Sequence, residues 1–126
     1  MSAVNVNQNN FREEVVNSDR PVLIDFFAPW CGPCRMVVPI VEQIAEERED
    51  IKVVKINIDE EPELASQFRV MSIPTLVVFK DGVIASQAVG ARSKDAILAM
   101  LYYPGGRERS PPPSFCIIIS GSAQPP

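Results

Sequence analysis

"APWCGPCRM", residues 28–36, sets Cys31 and Cys34 on either side of Gly32-Pro33, in a chain of 126 residues that contains no histidine. A cysteine pair at this spacing serves as a structural staple, as two ligands of a metal site, or as a redox couple that opens and closes. The flanks narrow the choice. Upstream, "RPVLIDFFA" (20–28) is a nearly continuous apolar run interrupted by Asp25, the pattern of a central strand covered on both faces. Downstream, Met36, Val37, Ile40, Val41, Ile44 and Ala45 recur at helical spacing, and Pro39 inside that pattern predicts a kink. The pair thus stands where a buried strand hands over to a helix. Tetrahedral zinc asks for four ligands. The whole chain offers three cysteines, which disfavours zinc and leaves a static disulfide or redox cycling.

The remaining segments are read outward from there. Residues 3–7, "AVNVN", alternate as a short edge strand, and Asn10 with Glu13 three residues on reads as a capping box opening a helix that buries Phe11, Val15 and Val16. "IKVVKINID" (51–59) is a second buried strand. Asp59 to Arg69 reads as a short acidic helix with Pro62 in its first turn; its acidic start, Asp59 to Glu63, reads as a solvated helix end and not a metal site. "PTLVVFK" and "VIASQAV" flank Asp81-Gly82, a hairpin signature. Ser93 caps a last helix with Ala96, Ile97, Met100 and Leu101 on its apolar face. The order is βαβαβαββα. It predicts an α/β fold, a central mixed sheet that is largely parallel, an antiparallel edge from the closing hairpin, and helices on both faces.

Composition excludes several functions. The chain is 46% apolar and 22% charged, ordinary for one globular domain. A net charge of −4 with no basic patch argues against nucleic-acid binding. Neither a Walker-type loop nor a GxGxxG follows a strand, and no apolar run approaches the roughly 18 residues of a membrane span. The polar N-terminus "MSAVNVNQNN" does not read as a signal peptide, so a cytoplasmic protein without membrane association is expected. In that reducing compartment a close cysteine pair is more often catalytic or metal-binding than a permanent bridge.

Residues 4 to about 101 resemble thioredoxins, on "WCGPC", "VLIDFFA", "VVKINID", "IPTLVVF", the "DG" turn and "VGA", in that order. The resemblance implies the thioredoxin fold and a protein-disulfide reductase, a dithiol carrier that needs no cofactor or metal beyond a redox-active Cys31–Cys34 disulfide. Partners would be disulfide-containing target proteins and thioredoxin reductase as electron donor, with the chain acting as a monomer. Physical chemistry reaches the same place: a cysteine at a helix N-terminus is favoured as thiolate by unpaired N–H groups and the macrodipole. Cys31 is therefore expected as the exposed nucleophile and Cys34, a turn deeper, as the buried resolving thiol. Asp25, in the strand beneath the helix, is expected to accept the Cys34 proton, with its pKa raised towards neutrality by burial and tuned by Lys55 on the neighbouring strand.

The resemblance further implies a cis Ile73-Pro74 bond beside the disulfide, receiving a target segment in an extended pose. Trp30, Gly32, Pro33, Ile73, Val89, Gly90 and Ala91 would then form a flat apolar docking surface, with Trp30 as the exposed anchor. Gly-Pro between the cysteines resembles reducing members and not oxidising relatives; an oxidant or isomerase would show a higher reduction potential. A non-catalytic binding module using the same apolar surface is the alternative. Two departures stand out. Phe27 lies where many family members carry a second Trp, and the chain continues past the last helix. Residues 1–103 read as the thioredoxin domain. Residues 104–126 read as a Pro/Gly/Ser-rich tail, disordered or non-native, holding half of the 12 prolines and the third cysteine, Cys116.

Overall fold

A computed structural model describes residues 3–102. The tail 104–126 and Cys116 lie outside the described residues. In chain order the elements are β1 (Val4–Asn5), a helical turn (Arg12–Val16), β2 (Val22–Phe27), α1 (Gly32–Glu47), β3 (Lys52–Asn57), α2 (Pro62–Gln67), β4 (Thr75–Lys80), β5 (Val83–Val89) and α3 (Lys94–Tyr102). The five strands form one sheet in the order β1-β3-β2-β4-β5. β2 is central, as its apolar run predicts.

Alternation along the strands sorts the core into two faces. Val22, Ile24 and Phe26 point to one side with Val54, Ile56, Val77 and Phe79, where Phe11 and Val15 of the first helical turn and Leu64 of α2 cover them. Leu23, Val53, Leu76 and Val78 point to the other, beneath Val37, Val41 and Ile44 of α1 and Ile97 and Met100 of α3. Asp25 alternates with Leu23 and so faces α1.

Three expectations are corrected. The sheet is not largely parallel with one antiparallel edge: β1, β3 and β2 run parallel, but β4 is antiparallel to β2 and β5 antiparallel to β4. β4 therefore enters from the end at which β3 left. A strand buried on both faces carries the same apolar run in either direction, so "PTLVVFK" does not reveal which way it runs. The helix expected from Asp59 begins at Pro62, because Asn57 takes the preceding N–H groups: its side chain accepts from Asp59 N at 2.9 Å and its carbonyl from Glu60 and Glu61 at 3.1 and 2.9 Å.

The third correction concerns the first helix. No capping box forms at Asn10. Its Oδ1 accepts from Asn7 N at 2.7 Å, while Asn7 Oδ1 accepts from Asn9 and Asn10 N–H. With those groups satisfied, the chain makes a single wide π-type turn, closed by Asn17 N to Arg12 O at 2.8 Å. The hairpin turn is as read, with Asp81 and Gly82 both at positive φ (53° and 82°). Ser93 Oγ accepts from Ala96 N at 3.2 Å and caps α3.

Candidate active site

β2 delivers the chain through Phe27 and Ala28 to a turn in which Cys31 N donates to Ala28 O at 3.1 Å. Cys31 caps α1: its backbone is extended (φ −85°, ψ 117°) and its Sγ accepts from Cys34 N at 3.2 Å. Gly32 and Pro33 open the helix, where the missing proline N–H costs nothing. The Arg35 guanidinium grips the turn from outside, donating to Pro29 O at 3.0 and 3.3 Å. α1 then runs unbroken through Pro39. Cys31 and Cys34 are joined as a disulfide, their Cα atoms 5.3 Å apart.

Cys31 is not exposed as expected. It is 5% accessible and Cys34 1%. In the disulfide the Cys31 sulfur folds back towards α1, the Ile73 carbonyl oxygen sits 4.0 Å from it, and Phe27, Ile58 and Ile73 pack around the pair. Cys31 remains the more accessible of the two. Phe27 also forms one wall of an apolar hollow of about 220 Å³ beside Cys34, with Pro29, Val38 and Pro39.

Around the disulfide the surface is apolar. Trp30 is 66% exposed and its Nε1 donates to Asp59 Oδ2 at 2.8 Å. The Ile73-Pro74 bond is cis, and Pro74 O accepts from Gly90 N at 2.8 Å, tying the end of β5 to this loop. Gly32, Pro33, Val89 and Ala91 are exposed, while Ile73 and Gly90 are half-buried. Pro74, expected at the docking surface, is buried; its ring packs inward and what it presents is the backbone that precedes it. Met36, read as part of the α1 core face, is 67% exposed, and Met71 92%. Sequence spacing missed both: Met36 lies beside the buried stripe of Cys34, Val37 and Val41 and not on it, and Met71 sits in a loop with no periodicity.

Beneath α1, Asp25 is fully buried, and neither carboxylate oxygen has a hydrogen-bond partner among the described residues. Burial pushes its pKa up from 3.8 to about 7, opposed by the positive charge of Lys55. Asp25 opposes Lys55 on β3 and Leu76 on β4. The Lys55 ammonium itself donates to Glu42 Oε2 at 2.8 Å, and this bond holds the Glu42 carboxyl below its ordinary range. Glu42 carried no signal in the sequence, where it reads as a solvated helix charge. Cys34 and Val37 are the first buried residues of α1, so the Cys34 side chain points to the sheet face that Asp25 shares. Among the described residues no group of three or more Cys, Asp or Glu side chains is clustered to hold a metal.

Comparison with known proteins agrees with this geometry. A family model described as Thioredoxin matches residues 2–102. The chain is 53% identical over 97 residues to Thioredoxin 1 of Nostoc sp., an alignment covering 76% of this chain and 91% of that protein. It is 51% identical over 102 residues to a thioredoxin of Porphyra purpurea (80% and 95% covered). A thioredoxin of Mycobacterium tuberculosis is 48% identical over 101 residues (79% and 87%).

Proposed function

The chain belongs to the thioredoxin family of thiol–disulfide oxidoreductases, and from that premise we propose how its residues divide the chemistry. In the reduced protein the Cys31 thiolate attacks one sulfur of a target disulfide. The target S–S bond breaks, a mixed disulfide forms and the other target sulfur leaves as thiolate. Asp25 takes the proton of Cys34. The Cys34 thiolate then attacks the Cys31 sulfur and displaces the second target sulfur. Two electrons pass to the target, and the chain is left with the Cys31–Cys34 disulfide. The observation that carries this reading is that disulfide, capping α1 above a buried carboxylate without a hydrogen-bond partner.

Lys55 moderates how far burial raises the Asp25 pKa. Trp30, Gly32, Pro33, Ile73, Val89, Gly90 and Ala91 receive the target, whose extended segment aligns with the backbone before Pro74. The redox group is the disulfide itself, so no other cofactor or metal is assigned. Re-reduction needs a separate two-electron donor, a thioredoxin reductase, and the protein works as a cytoplasmic monomer. Among the described residues no helix is long and apolar enough to cross a membrane. Residues 1–103 carry the activity and residues 104–126 take no part in it; a chain ending at residue 103 is expected to turn over a model disulfide at the parent rate.

Trapping tests the assignment of roles. Cys34→Ser incubated with an oxidised target protein should accumulate a mixed disulfide through Cys31, visible by non-reducing mass spectrometry. Cys31→Ser should accumulate none. Trapping by Cys31→Ser alone would exchange the two roles, and trapping by neither variant would remove them and favour a binding module with spectator thiols.

A further inference from the structure

Asp25 and Lys55 oppose one another on neighbouring parallel strands and point to the same face of the sheet. Even so, neither Asp25 oxygen accepts a hydrogen bond from any described residue. The ammonium is held elsewhere, at 2.8 Å from Glu42 Oε2, with the Lys55 side chain 16% exposed and that of Glu42 31%. Glu42 is fixed from two sides: α1 carries its backbone, and its other oxygen accepts from Ala3 N at 3.1 Å.

We propose that Glu42 is a positioning residue of the dithiol reaction: it holds the Lys55 ammonium at the rim of the sheet and so prevents an ion pair between Lys55 and Asp25. The functional meaning rests on Asp25 being the proton acceptor for Cys34. A carboxylate in contact with a cation is a poor base, because the pair favours its charged form and lowers its pKa by about 1–3 units. A carboxylate left without that contact keeps the basicity that burial confers. Lys55 has two anions within reach of its stem, and the half-exposed Glu42 costs less to ionise than the buried Asp25. The ammonium therefore rests on Glu42 and acts on Asp25 only from a distance.

Among the described residues no other charge faces Asp25 from the elements packed against it. From β4 the residue opposing Asp25 is Leu76. From α3 the buried residues are Ile97 and Met100, and from α1 they are Cys34, Val37, Val41, Ile44 and Ala45. Of these only Cys34, once its disulfide is reduced, carries an ionisable group.

Glu42→Gln preserves size and an acceptor for Ala3 N while removing the charge that holds Lys55. In the full-length chain, the Asp25 carboxyl carbon is followed by NMR from pH 4 to 10, and the rate of mixed-disulfide resolution is measured in parallel. Glu42→Gln is expected to lower the Asp25 midpoint by about one pH unit. The double variant Glu42→Gln/Lys55→Gln should raise it above the parent, since no cation then remains to pair. A midpoint that is unchanged or raised in Glu42→Gln overturns the proposal; a raised one would make Glu42 the anchor that keeps Lys55 near Asp25. Resolution at pH 7 should slow several-fold with the lowered midpoint. A lowered midpoint with an unchanged resolution rate upholds the hold of Glu42 on Lys55 and instead removes Asp25 from the proton transfer.

Discussion

Burial keeps Asp25 protonated to about pH 7 in the folded protein, whereas the unfolded chain releases that proton near its ordinary value of 3.8. The unfolded state therefore loses the proton first as pH rises. The contribution of this group is full below about pH 4 and is lost as pH climbs through about 7. The difference of roughly three units corresponds to a loss on the order of 4 kcal/mol, large beside a typical stability of about 5–15 kcal/mol. Asp25→Asn should accordingly gain stability relative to the parent by up to that amount between pH 4 and pH 8, measured by urea unfolding at each pH. A pH-independent difference would mean that Asp25 is not buried as a titrating acid. At this scale much of the site was legible. Cys31, Cys34 and Asp25 lie within ten residues of one another, and each has a local reason in the strand–turn–helix passage. Glu42 and Asp59 were not legible, because their roles come from partners distant in sequence, the Lys55 ammonium and the Trp30 indole.

α3 shows how an element signal becomes a stability. Ser93 Oγ satisfies one of the N–H groups that the first turn leaves unpaired, and the helix then packs Ile97 and Met100 onto the sheet. Ser93→Ala should cost about 1 kcal/mol without changing the activity, as read by thermal unfolding and by disulfide reduction on the same sample. Ser93→Asp should restore the stability, since its carboxylate can accept the same bond and favours a helix N-terminus. Helices with a continuous apolar period, such as α1 and α3, could be read from spacing, as could the Asp81-Gly82 hairpin. The first helical turn could not. Asn7 and Asn10 compete for the N–H groups that a capping box would have used. Nor could the direction of β4, because a strand buried on both faces shows the same continuous apolar run whichever way it points.

Across the whole molecule, two packed faces hold one rigid sheet under the disulfide. The face away from α1 is organised by Phe68, whose ring meets Phe26, Phe11 and Phe79 at centroid distances of 5.3, 5.8 and 6.3 Å. Phe68→Ala should destabilise the protein by about 3–5 kcal/mol, seen as a lower urea midpoint. At temperatures where the variant remains folded, its disulfide reduction should match the parent, because the aromatic cluster lies across the sheet from α1. Stability is thus spread over both faces, while the proposed redox chemistry is confined to one end of one helix, the surface around Trp30 and the carboxylate beneath it.

The most direct measurement is dithiothreitol-driven reduction of a model protein disulfide by the full-length chain at pH 7, beside Cys31→Ser and Cys34→Ser. Turnover well above the rate of dithiothreitol alone, lost in both variants, is the predicted result. A parent rate no faster than dithiothreitol, or a rate that survives loss of Cys31, would contradict a reductase working through this dithiol.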